Sequence, residues 1–220
     1  VAQGQNRLES SVSVSALDAE SIADLNPSSS ADLIRQIPGI RSEASGGEGN
    51  ANIAVRGIPV STGGARYIQL QEDGLPVLEF GDIVFGNADN FVRADRNVGR
   101  VEAVRGGSAS TFASNSPGGV INFISKTGLE EGGAVAGTIG IDHETYRLDF
   151  DYGGALDATS YFHVGGFYRT GEGVRDTGFN GKEGGQIKAN LTTEFDGGYI
   201  RVHGKYLDDS TPTILPQPVA

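Results

Sequence analysis

The 220-residue chain contains no cysteine, no methionine and no tryptophan. Without cysteine there is neither a disulfide framework nor a thiolate metal site. The missing methionine, at position 1 included, is expected of a processed chain or a piece of a longer one. Residues 1–9 are polar and hold no apolar run of the signal-peptide kind. No window of 18 consecutive apolar residues exists, which excludes a membrane-spanning helix. It does not exclude a barrel, whose strands need only about 10 residues of alternating pattern. Basic residues are in deficit, with 17 Lys and Arg against 28 Asp and Glu and a formal charge of −11. That balance argues against nucleic acid as a partner, because phosphate binding needs a basic face. The three histidines, His143, His163 and His203, are far apart and fall in no zinc-binding spacing. Gly106-Gly107-Ser108 is not a nucleophile elbow, because position 110 is serine. Glu130-Glu131 and Asp208-Asp209 read as solvated turns. Neither enzyme chemistry, nor a metal, nor a cofactor is expected.

Glycine is abundant, at 34 residues, against about 15 from average usage. The glycines are scattered without a collagen-like period, which suggests turns, close backbone approach and β-structure. The character of the sequence changes near residue 128. Residues 1–127 mix short helical and short strand patterns, as in a small α/β domain. Asp18 is a fitting N-cap for a helix over 19–24, and Ser30 for a second. The second helix carries an apolar stripe of Leu33, Ile34 and Ile37 and is stopped by Pro38-Gly39. Strands are expected at 11–15, 52–56, 66–71, 100–105 and 120–125, with a tight hairpin at Asp73-Gly74.

Residues 128–220 read almost entirely as alternating strand, over 133–141, 145–153, 160–170, 185–195 and 199–207. Tyr146, Leu148, Phe150 and Tyr152 oppose Arg147, Asp149 and Asp151. Ile187, Ala189, Leu191, Thr193 and Phe195 oppose Gln186, Lys188, Asn190, Thr192 and Glu194. Ile200, Val202 and Tyr206 oppose Arg201, His203 and Lys205. Alternation alone fits two structures. In a soluble sandwich the polar face meets water; in an outer-membrane barrel it faces the lumen and the apolar face meets lipid. The connections at 154–159 and 196–198 are short and that at 171–184 is long, as barrel turns and external loops are, whereas the first, at 142–144, is too short to add support. Five strands cannot close a membrane barrel, so on that reading the 220 residues are part of a larger protein.

Four motifs occur in order between Asp32 and Lys126. Asp32-Leu33-Ile34-Arg35-Gln36-Ile37-Pro38-Gly39-Ile40 is a helix followed by Pro-Gly-apolar. Asn52-Ile53-Ala54-Val55-Arg56-Gly57 is a strand ending in Arg-Gly. Gln71-Glu72-Asp73-Gly74-Leu75-Pro76-Val77 is an Asp-Gly hairpin. Val98 to Ser108 contains Val101-Glu102-Ala103-Val104-Arg105-Gly106, and small residues lead on to Gly118-Gly119-Val120-Ile121-Asn122. The set resembles the plug domain of TonB-dependent outer-membrane receptors. Two positions depart from that pattern: Gly107 stands where proline is usual, and Phe112-Ala113 where Tyr-Gly is usual.

The resemblance implies a small mixed α/β plug over 1–127, followed over 128–220 by the first antiparallel strands of a transmembrane β-barrel that is incomplete in this chain. It implies a bacterial outer-membrane location, embedding in outer-membrane lipid, and import of a small nutrient driven by the TonB-ExbB-ExbD complex. The TonB box would lie upstream, with at most Val1-Ala2 belonging to it. Arg56, Glu102 and Arg105 would make ionic contacts with the barrel wall, and Gly39, Gly57, Gly106, Gly118 and Gly119 would shape the backbone. The ligand would meet upper loops bearing Arg66, Phe80, Asp82, Phe85, Asn87, Asn90 and Arg93. Aromatic rings beside Asn and Asp suit an oligosaccharide, slightly favoured here, while the arginines would suit an anionic iron chelate. The alternative reading is a soluble secreted carbohydrate-binding module, an α/β domain followed by a β-sandwich.

Overall fold

A computed structural model describes residues 13–44, 46–59, 67–78, 88–107, 109, 113–114 and 116–214. The chain divides into two compact units. The described residues of 13–94 and 100–124 form the first; residues 95–99 and 125–214 form the second.

The first unit is built from short elements. Strand β1 (Ser13–Asp18) runs directly into helix α1 (Ala19–Leu25), which Asp18 caps by accepting from the Ser21 N–H. Helix α2 (Ser30–Arg35) is capped one residue earlier than its sequence suggests. Ser29 and Asp32 form a reciprocal capping box, so Ser30 is the first helical residue and lies buried. Leu33, Ile34 and Ile37 are fully buried, as their spacing predicts. Strands β2 (Ile40–Glu43), β3 (Asn52–Val55) and β4 (Ile58–Pro59) make one small antiparallel sheet. Strands β5 (Ile68–Glu72), β6 (Leu75–Pro76), β7 (Val98–Arg105) and β8 (Gly119–Ser125) join β1 in a second sheet of order β1-β7-β8-β5-β6. The expected Asp73-Gly74 hairpin is present, with both residues at positive φ. Strands β5 and β8 are parallel, and four consecutive residues of β5 are buried. That is the usual lot of a parallel strand covered on both faces. Leu70, Val101, Ala103, Ile121 and Phe123 form the sheet's core. Gly118 and Gly119 let β8 in: a Cβ would lie 2.9 Å from the Tyr67 carbonyl oxygen at Gly118, and 2.8 Å from that of Val104 at Gly119.

The second unit is an open antiparallel meander. Strands β9 (Gly132–Ile139), β10 (Thr145–Ala155), β11 (Ser160–Gly171), β12 (Lys182–Phe195) and β13 (Gly198–Ser210) pair in sequence order. Four of them exceed 10 residues, enough for a tilted strand to cross about 30 Å of hydrocarbon. The register sets the two faces. Tyr146, Leu148 and Tyr152 share one face with Tyr168, Ile187, Leu191, Val202 and Tyr206, and all are exposed. Asp149, Asp151, His163, Arg169, Gln186, Lys188, Asn190 and Thr192 share the other, and all are buried. Leu148 is 52% exposed beside Asp149 at 7%. The burial is the reverse of a soluble sandwich, which hides its apolar face. It is the arrangement of a sheet that presents hydrocarbon to lipid and charge to an interior.

A charge on the exposed face should therefore be costly. Ile187→Arg, near the middle of β12, is expected to destabilise the full-length protein in lipid vesicles by about 2–4 kcal/mol. On a sheet that met water there, the change would be within about 0.5 kcal/mol. Equilibrium denaturant unfolding from vesicles measures the difference.

Candidate functional site

One corner of the first unit gathers two arginines. Arg56 and Gly57 form the two-residue hairpin between β3 and β4, with φ of 50° and 86°. Such a turn requires the left-handed region at both positions and favours Asn-Gly, so an arginine there is held against its backbone preference. Arg105, at the end of β7, donates to the Ser15 hydroxyl at 2.8 Å and to the Pro38 carbonyl. Gly39 and Gly106 border these guanidiniums: a Cβ at Gly39 would lie 3.5 Å from Arg105 Nη1, and one at Gly106 would lie 3.4 Å from Arg56 Nη1. Burial, and secondarily the like charge of Arg56, lower the Arg105 pKa from its ordinary value. The motif residues Gly39, Arg56, Gly57, Arg105 and Gly106 thus converge on one cationic corner.

Glu102 does not join them. It pairs with Arg100 at 2.9 Å on the same face of β7, whereas Arg105, three residues on, projects from the opposite face. Both members of that pair keep contact with water, and such a pair contributes about 0–1 kcal/mol.

Of the loop residues singled out above, Arg66, Phe80, Asp82, Phe85 and Asn87 lie outside the described residues. Asn90 is half-buried in a short 3-10 turn over Ala88–Phe91. Arg93 is not surface-facing. It is 4% exposed, and its guanidinium donates to the main-chain carbonyl of Asn90 at 2.8 Å. It acts as a buried brace for the turn.

Asp89, a residue of the same loop, turns inward. It is fully buried and accepts the Ala51 N–H at 2.9 Å, fastening the turn at 88–91 to the segment before β3. Burial raises its pKa to about 6, with the Ala51 hydrogen bond and Arg93 opposing the shift.

Within the second unit, the buried face carries paired charges. Arg147 binds Asp149 through two hydrogen bonds of 2.7 Å and stacks 4.1 Å over the Phe167 ring. Arg169 binds Asp209 at 2.8 and 2.6 Å. The register places Gly184 between those two, so no side chain obstructs the reach from β11 to β13. Asp151 accepts from Arg96 at 2.9 Å and Lys126 at 2.7 Å, with His163 Nε2 at 3.4 Å. The sequence marked Arg147, Asp149 and Asp151 as one face but gave no hint of their partners. Among the described residues no cluster of His, Asp or Glu could hold a metal.

The Asp89 shift has a definite sign. Folded Asp89 keeps its proton to about pH 6, whereas an unfolded aspartate loses it near 3.8. Between those values the folded chain binds more protons, so the fastening weakens as pH rises from about 4 to 6 and is flat above. Asp89→Asn keeps an acceptor for Ala51 and should abolish that dependence. Hydrogen exchange of the Ala51 amide in the full-length protein, corrected for intrinsic rate, measures it; an unchanged slope in the variant would refute the assignment.

Comparison with known proteins agrees with this architecture. Residues 6–120 match the family described as TonB-dependent Receptor Plug Domain. The ferric enterobactin receptor of Pseudomonas aeruginosa is 26% identical over 262 aligned residues, covering 97% of this chain and 34% of that protein. The vitamin B12 transporter BtuB of Photobacterium profundum is 30% identical over 124 residues, covering 56% of this chain and 19% of that protein. Among solved structures, the pyoverdine outer membrane receptor FpvA of Pseudomonas aeruginosa aligns with a TM-score of 0.70 at 19% identity, covering 90% of this chain and 28% of that one. The chain spans about a third of the length of the first relatives it matches. With more than half of its residues matched to the plug family, and with strands of exposed apolar face following the plug, the chain belongs to the TonB-dependent outer-membrane receptors.

Proposed function

We propose that this chain is the plug and early barrel of an importer that takes up a ferric siderophore by TonB-coupled remodelling of the plug. The inverted burial of β10–β12 carries the reading: a sheet with exposed Leu148, Ile187 and Leu191 and buried Asp149, Asp151 and Arg169 belongs in a membrane. The soluble-module alternative requires the opposite burial. The leaning toward an oligosaccharide, drawn from loop composition, has no support among the relatives. Two of them are named as ferric enterobactin receptors and a third as a vitamin B12 transporter. An anionic ferric chelate is therefore the preferred ligand. Transport would depend on the TonB-ExbB-ExbD complex, with proton-motive force delivered as a mechanical pull on the N-terminal segment. In this reading Arg56 and Arg105 are the plug's ionic contacts to acidic groups of the barrel wall. Breaking one partner of such a contact leaves an uncompensated charge, at about 3–5 kcal/mol.

Two measurements test the proposal. Cells producing the full-length receptor should accumulate radioactive iron presented as ferric enterobactin or a related chelate, and should lose that uptake without TonB. Uptake of labelled maltodextrins instead would overturn the ligand class. Separately, Arg105→Glu should raise sensitivity to vancomycin, a large polar antibiotic that a tight seal excludes, while Arg105→Lys should raise it less. Equal sensitivity in all three receptors would remove Arg105 from the seal.

A further inference from the structure

The segments 95–99 and 125–127 pack with the barrel strands rather than with the first unit, although each adjoins a first-unit strand in sequence. Their attachment is specific. The Lys126 N–H donates to the Asn97 carbonyl at 2.8 Å, tying the two segments to each other. Asp151 on β10 takes Arg96 from one segment and Lys126 from the other, on separate carboxylate oxygens. Gln186 on β12 donates to Asp95 at 2.6 Å, and Asn190 donates to the Lys126 carbonyl at 2.7 Å. The wall is also shaped to receive them. In the cross-strand row Asp151–Gly165–Lys188 the middle residue has no side chain. Asn97 Oδ1 lies 2.7 Å from where a Cβ on Gly165 would sit. Asp95, Asn97, Asp151 and Gln186 are all buried.

We propose that Asp151 is the anchor at which remodelling of the plug stops: it holds 95–99 and 125–127 to the barrel wall while the residues before them are drawn out. The proposal rests on the reading of an N-terminal pull given above. Tension applied at the N-terminus passes along the covalent chain only as far as the first fixed point. If 95–99 is that point, residues 13–94 bear the load. Residues 100–124 then form a loop pinned at both ends, adjacent through the Asn97–Lys126 bond, and carry no tension. Strands β7 and β8 stay tethered in place, as a template on which β1 and β5 can re-pair when the pull ends. Asp151 is suited to this because it binds both segments: loss of one cation leaves the other in place. Removal of the carboxylate breaks both ion pairs at once and leaves the segments to the Gln186–Asp95 and Asn190–Lys126 hydrogen bonds.

Force spectroscopy on the full-length receptor in a bilayer, pulled through a single Ser13→Cys tether, reads this directly. Release is expected to halt after about 280 Å, the extended length of residues 13–94 at ~3.4 Å each. In Asp151→Asn the halt should move to about 390 Å, the length out to residue 127. Arg96→Gln combined with Lys126→Gln leaves the wall residue intact and should give the same longer release, so a folding defect in either variant does not remove the test. Heat-modifiable mobility on gels confirms that each barrel is folded. Release of about 390 Å in a single step from the unaltered receptor would overturn the anchor, as would a halt at about 280 Å in both variants. No release at any force the tether survives would instead remove the remodelling reading, and the anchor with it.

Discussion

Hydrocarbon offers a backbone no hydrogen-bonding partner, so every N–H and C=O that enters it must be paired within the protein. The rest of the second unit follows from that constraint. The ladders from β9 to β13 are in continuous register, with up to 13 paired positions between β12 and β13. Continuous pairing fixes the alternation, and alternation forces a choice of which face meets lipid. The exposed face holds tyrosines, leucines and isoleucines; the other holds the carboxylates and guanidiniums.

A buried charged face has its own requirement. Removing an ion from water costs several kcal/mol, offset only by a well-placed partner. The inner face meets it with local, geometrically tight pairs: Arg147 with Asp149 two residues along one strand, and Arg169 with Asp209 across the gap left by Gly184. The Phe167 ring beneath both arginines adds a cation–π surface, at 4.1 and 5.4 Å. The second of these pairs binds strand to strand. Asp151 differs, because its cations come from outside the five strands, at positions 96 and 126.

Local physics was the part legible in the sequence. The stripe Leu33-Ile34-Ile37, the Asp73-Gly74 turn and the faces of β10, β12 and β13 are set by spacing, and the structure has them. A cap at Ser30 is one residue late, because Ser29 and Ser30 are both serines and only the reciprocal bond with Asp32 distinguishes them. Which face of the alternating strands is covered was not legible, since a sandwich and a barrel share the pattern. Arg93 reads as available for a related reason: a charged side chain in a loop looks free, and nothing nearby in the sequence shows that the carbonyls of a 3-10 turn have taken it. The burial of Asp89 and the cations of Asp151 were not legible because the groups they bind lie 38, 25 and 55 residues away.

The two kinds of contact in this chain also differ in how they can be undone. The first unit's sheet is held by buried Leu70, Val101, Ile121 and Phe123, and exposing such side chains costs roughly 1.5–3 kcal/mol each, with no compensation from water. The segments at 95–99 and 125–127 are held by amides and ion pairs. Water can replace an exposed polar contact at a net cost of about 1 kcal/mol, so one such bond would be a poor fixed point under load. A carboxylate that engages two cations while their backbones are bonded to each other must lose several contacts together before either segment leaves. Stability against a pull therefore comes from the number of bonds that share one aspartate, and the placement of Asp151 opposite a glycine-lined recess is what allows them to share it.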